Sequence, residues 1–177
     1  SPLFQDLWAK ANNVDMKQAA NIALLAGYGG TLIAVTSIFN GLGRFFWGGL
    51  SDKIGRVQTF RIMLGTQVLC FIALVYNSNP WVFALIFCYV LLCYGGGFGT
   101  MPAFILDVFG AKTHAIVYGT VLTAWSAAGI VGPQMVGMLK DKMGADAAFY
   151  TFWCGAGILA FGFLVTLLGS NEPYEKK

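Results

Sequence analysis

Charge is scarce in this chain. Of its 177 residues, 57% are apolar and 11% charged, and the mean hydropathy is +0.67. Soluble domains run at about 45–50% apolar and about 25% charged. Eleven Lys and Arg with eight Asp and Glu cannot cover a water-soluble body of this size, so most of the chain must face lipid. Histidine is nearly missing, His114 being alone. Cys70, Cys88, Cys93 and Cys154 sit in apolar runs, form no C-x-x-C pair and have no histidine beside them. This argues against a metal site and a disulfide framework, and leaves them as small apolar packers. Nucleophile–base pairs and phosphate loops are also missing, so neither enzymatic chemistry nor a cofactor is expected. The net charge of +3 falls mostly in short connections, which speaks against a nucleic-acid partner. No signal-peptide pattern opens the chain, and Ser1 stands where a methionine would start one; the chain is expected to be a piece of something longer.

What is present is a series of long apolar runs. Spans of about 20 apolar residues cross a ~30 Å hydrocarbon core as helices. Such runs occupy about 19–50, 57–76, 81–106, 114–139 and 147–169. None alternates as a barrel strand does, so an all-α membrane bundle of five helices is the expected fold. Short connections, "NSNP" at 77–80, "DVFGAKT" at 107–113 and "KDKMGAD" at 140–146, make neighbours antiparallel. Placing the 52–61 loop in the cytoplasm puts six cations there and four on the other side, a weak bias in the direction of the positive-inside rule. Glycine, 23 residues, clusters at "GYGG" (27–30), "GGGFG" (95–99) and "GIVGPQMVG" (129–137), where it suits close helix packing. Pro133 predicts a kink.

The stretch "GGLSDKIGR", Gly48 to Arg56, has the form G-x-L-x-D-[RK]-x-G-R. It resembles the loop motif of the major facilitator superfamily, found between the second and third helices and, as a weaker copy, between the eighth and ninth. The matching residues are Gly48, Leu50, Asp52, Lys53, Gly55 and Arg56. Gly48 suits a close helix approach and Gly55 a tight turn, while Asp52 suits a neighbouring helix end and a nearby arginine. "YGGGFGTMPAFILDVFGAK" (94–112) and "YGTVLTAWSAAGIVGP" (118–133) resemble the tenth and eleventh helices of the oxalate:formate antiporter family and its monocarboxylate-carrying relatives. The resemblance implies a C-terminal half, helices eight to twelve of a twelve-helix transporter. Residues 1–18 then hold the extracytoplasmic end of helix seven and a loop, 19–170 the bundle, and 171–177 a cytoplasmic tail. The implied partners are the lipid bilayer and the missing N-terminal half, in a multi-pass protein of the plasma (inner) membrane.

Arg44 is the unusual residue. Eight residues of helix from Asp52 set it roughly 12 Å inward, near the middle of the membrane, where a cation costs about 3 kcal/mol or more. Ser37, Asn40, Arg44 and Gly48 recur at intervals of three and four, which puts them on one stripe. Phe45 and Phe46 fall elsewhere, toward lipid or neighbouring helices. A guanidinium offers a carboxylate a bidentate fork, so a small organic anion is its natural counter-ion, with Asn40 as co-ligand. Snorkelling toward the interface and pairing with an acid of the absent half remain open to it. In the oxalate-carrying branch the resemblance implies a lysine after the "TA", where this chain has Trp125. One cation suits a monoanion, and Trp125 supplies an aromatic wall, with Tyr118 on the same face. Tyr89 and Tyr94 are read as packing residues, Asp107 as a gating or helix-end contact to a basic residue, and His114 as interfacial. The expected function is secondary active transport of a monocarboxylate (lactate, pyruvate or formate) by alternating access. Antiport and symport are both open to it, and dicarboxylate or oxalate exchange on the same scaffold and a non-transporting receptor are the alternatives.

Overall fold

A computed structural model describes residues 2–14 and 18–169; the tail expected at 171–177 lies outside them. Five α-helices follow in order: α1 Pro2–Ala11, α2 Ala19–Ile54, α3 Arg56–Tyr76, α4 Pro80–Met143 and α5 Ala147–Leu167. Among the described residues no strand occurs. The helices α2 to α5 are long and apolar enough to cross a membrane.

The 64 residues of α4 would reach about 96 Å as a straight rod, three times a ~30 Å hydrocarbon core. Gly110 resolves this. With φ 74° and ψ 170° it takes a conformation open to glycine and closed to most L-residues, and it breaks α4 into arms at 80–109 and 111–143. Contacts across the break show the arms folded back on one another. His114 Nε2 lies 3.1 Å from the Pro102 carbonyl, and Trp125 Nε1 donates to the Tyr94 hydroxyl over 2.8 Å. The five expected crossings are therefore present. The loop expected at 107–113 is not: helix runs to either side of Gly110. Backbone angles remain helical through Pro133, so the break in α4 falls at the glycine and not at the proline.

A second glycine makes the other reversal at the same end. Gly55, φ 92°, is the only residue between α2 and α3, where the sequence suggested a longer loop. At the opposite end the connection is built from side chains. Asn77 Oδ1 accepts from Asn79 N over 3.1 Å, and Asn79 Oδ1 accepts from Trp81 N over 2.9 Å. This caps α4, and Pro80 supplies the preset φ of a first helical residue.

Two buried clusters fill the interior. Phe4, Leu32, Leu74 and Phe83 pack near the Asn77 end, and Trp47, Met63 and Cys93 nearer the Gly55 end. Cys88 and Cys93 are buried free thiols, Cys70 is half-buried and Cys154 exposed. The outer surface is apolar in the manner of a lipid-facing protein: Phe45 is 82% and Phe46 55% exposed. Arg61, read from sequence as a loop cation, belongs to α3 and closes α5. Its guanidinium donates to the carbonyls of Thr166 at 3.1 Å and Gly169 at 2.9 Å, at and just beyond the helix end, where carbonyls lack intrahelical i+4 partners.

Candidate functional site

The glycine run of α4 decides what surrounds Arg44. A Cβ at Gly95 would collide with the Asn40 carbonyl, and one at Gly96 with the Trp47 ring. At Gly99 it would come within 2.9 Å of the Arg44 carbonyl. On the other helix, a Cβ at Gly43 would strike the Leu92 carbonyl. The backbones of α2 and the first arm of α4 thus touch along about two turns, closer than a side chain at Gly43 or Gly95 would permit. The sequence suggested Gly48 for such an approach; a Cβ there meets nothing within 4 Å, and Gly43 makes the contact instead. The signal in the sequence was the density of glycine at 95–99, which marks packing without naming the partner helix.

At the edge of this contact stands Arg44, exposed and with no ion pair to any described residue. One turn away, the Asn40 Oδ1 atom is buried and accepts no hydrogen bond. Buried acceptors are nearly always satisfied. That oxygen faces Gly95 of α4, so it lies within the helix contact, while the Arg44 side chain is exposed.

Trp125 and Tyr118 line a cavity with Tyr94, Gly97 and Phe98; Asn40 and Arg44 are not among its lining residues. Cys93, Gly97 and Met101 of its lining recur on one face of α4's first arm, and Gly95 and Gly99, which touch Asn40 and Arg44, lie roughly opposite. Tyr118 stacks on His114 at 6.0 Å and 17°. Tyr89 bonds Thr66 Oγ1 over 2.7 Å, linking α4 to α3.

The charged motif gathers around one guanidinium. Arg56 Nη1 lies 2.6 Å from Asp52 Oδ1, and Arg56 Nε 2.9 Å from Asp107 Oδ2; Nη1 also donates to Ser51 Oγ. Arg56 therefore joins the turn at Gly55 to the turn at Gly110, three residues beyond Asp107. Lys53 is exposed. Both carboxylates are more than half exposed, and such pairs contribute about 0–1 kcal/mol. Asp107→Asn is accordingly expected to leave thermal stability within a degree or two while shifting the balance of conformations up to about fivefold. The maleimide labelling rate of Ala103→Cys, one turn from Asp107, reads that shift; an unchanged rate would remove the latch role.

Among the described residues no group of His, Cys, Asp or Glu could hold a metal. A family profile described as Major Facilitator Superfamily matches residues 14–177. The multidrug resistance protein MdtG of Serratia proteamaculans (strain 568) is 29% identical over 178 aligned positions, which cover 98% of this chain and 41% of that protein. The oxalate:formate antiporter of Oxalobacter formigenes is 27% identical over 161 positions, covering 84% of this chain and 38% of that protein. The chain thus spans about two fifths of the length of these relatives. No solved structure matches it significantly. With a glycine-hinged bundle of apolar helices, the Gly48–Arg56 motif and a family match over nearly its whole length, this multi-pass membrane chain belongs to the Major Facilitator Superfamily.

Proposed function

We propose that the protein carries a small organic anion, a monocarboxylate of the size of lactate, pyruvate or formate, across the membrane by alternating access. In this reading two bundles rock about a central site, and this chain furnishes most of one of them. The observation that supports it is Arg44: a permanent cation well inside an apolar helix, exposed and unpaired among the described residues. Intramembrane cations of this sort ordinarily face a cavity and a partner, and a carboxylate fits the guanidinium fork. Asn40, one turn away on the same stripe, is the co-ligand in this reading and would have to turn its amide out of the contact with Gly95 to reach the anion. Arg56 and Arg61 are both occupied, which leaves Arg44 as the one arginine of the described residues without such partners, and a single guanidinium suits a monoanion better than oxalate. Carriage of varied drugs, as in the name of MdtG, would leave Arg44 to pair with an acid of the absent half.

Counter-flow in proteoliposomes tests this, using the protein at its full natural length. Preloaded lactate or formate is expected to accelerate entry of the labelled anion with saturation, and oxalate to do so weakly. Equal or better exchange of oxalate would overturn the choice of cargo, and no exchange of any carboxylate would overturn the proposal.

A further inference from the structure

Arg56 holds its three partners unequally. Its Nη1 donates to Ser51 Oγ and lies 2.6 Å from Asp52 Oδ1, both on the last turn of α2, while its Nε lies 2.9 Å from Asp107 Oδ2 on α4. The two carboxylates are 64% and 54% exposed, so water competes for them. Ser51 is 1% exposed, and a hydrogen bond shielded from water holds more firmly. The Ser51 hydroxyl has one proton, which goes to the Gly48 carbonyl 2.7 Å away. Its oxygen is thereby left to accept, and the guanidinium supplies the donor.

The contact of α2 with α4 buries Ser51. Gly43 meets Leu92 and Trp47 meets Gly96, a parallel register that sets Ser51 level with Thr100 one turn on. Thr100 is fully buried as well. The glycine contact ends at Gly99. Asp107 lies about two turns further, beyond Pro102, which has no N–H to give to the helix ladder. We infer that Ser51 is a positioning residue of the clasp. It keeps the Arg56 guanidinium on α2, where Asp107 can reach it, so the clasp parts between Arg56 and Asp107 and not between Arg56 and α2. Position 51 is an unspecified one in the form G-x-L-x-D-[RK]-x-G-R, so the motif does not assign this role. The inference rests on alternating access in the function proposed above, and not on the cargo. Every bond in it lies within this chain.

The maleimide labelling rate of Ala103→Cys reads the opening, with Cys154→Ser to silence the exposed native thiol. It is measured on the full-length protein in lipid nanodiscs without substrate, so a wrong cargo leaves the result standing. Ser51→Ala is expected to raise the rate about two- to fivefold. In an Asp107→Ala background the same change is expected to add nothing, because the place of the guanidinium no longer matters once its partner is gone. Ser51→Thr keeps the oxygen and is expected to label as the wild type does. A wild-type rate in Ser51→Ala would overturn the assignment. So would an equal rise with and without Asp107, or a rise in Ser51→Thr, since either traces the effect to packing at the helix contact.

Discussion

Arg44→Gln is expected to abolish saturable carboxylate exchange while leaving the protein folded. Truncating one partner of a charge-assisted pair costs about 2–5 kcal/mol, which corresponds to a factor of about 30 to several thousand in the exchange rate at low substrate. The stability of the bundle should not follow, because Arg44 is exposed and pairs with no described residue. Thermal midpoint and elution profile are thus expected to match the wild type. Arg44→Lys discriminates further. It keeps the charge and loses the planar fork, so partial activity with a raised KM is expected, whereas a purely electrostatic role predicts nearly full activity. Exchange by Arg44→Gln at the wild-type rate would remove the anion site from α2.

A second large effect is expected at Gly95, and it is one of stability. An added Cβ there would lie 2.8 Å from the Asn40 carbonyl carbon and nearer still to its oxygen, so the contact is with backbone and cannot relax by a rotamer change. Overpacking costs about 1–3 kcal/mol, and Gly95→Ala is expected to lower the thermal midpoint by about 3–10 °C. Gly95→Leu is expected to yield no monodisperse protein. Gly41→Ala is the control. A Cβ at Gly41 meets nothing within 4 Å, and alanine is the better helix former by about 1 kcal/mol, so stability should hold or rise. If Gly95→Ala melts as the wild type does, α2 and α4 are not packed backbone to backbone.

The number of crossings was legible in the sequence, because hydropathy reports solvent, and lipid is the solvent of most of this chain. The Gly48–Arg56 motif was equally legible, and so was Gly55 as a turn residue. Boundaries were less so. Asp107, Lys112 and Thr113 read as a loop, yet all three sit in helix on either side of a single glycine, since polar residues at a membrane surface need not leave a helix. The packing partners of the site residues were less legible. Periodicity puts Asn40 with Arg44 and Tyr118 with Trp125, because it fixes which residues share a face of their own helix. It does not say which neighbour that face meets, and the first arm of α4 stands between the two pairs. Gly48 and Gly43 illustrate the same limit: both are glycines of α2, and only the position of Leu92 makes one of them indispensable.

Gly55 and Gly110 each turn the chain through a single residue, and Arg56 clasps the two corners together through Asp107. That end of the bundle has no slack. A motion that opens it cannot be absorbed by a yielding loop, so the two hairpins must swing as stiff levers from a common hinge. The far end differs, since three residues, 77–79, held by their own asparagine hydrogen bonds, join α3 to α4 there.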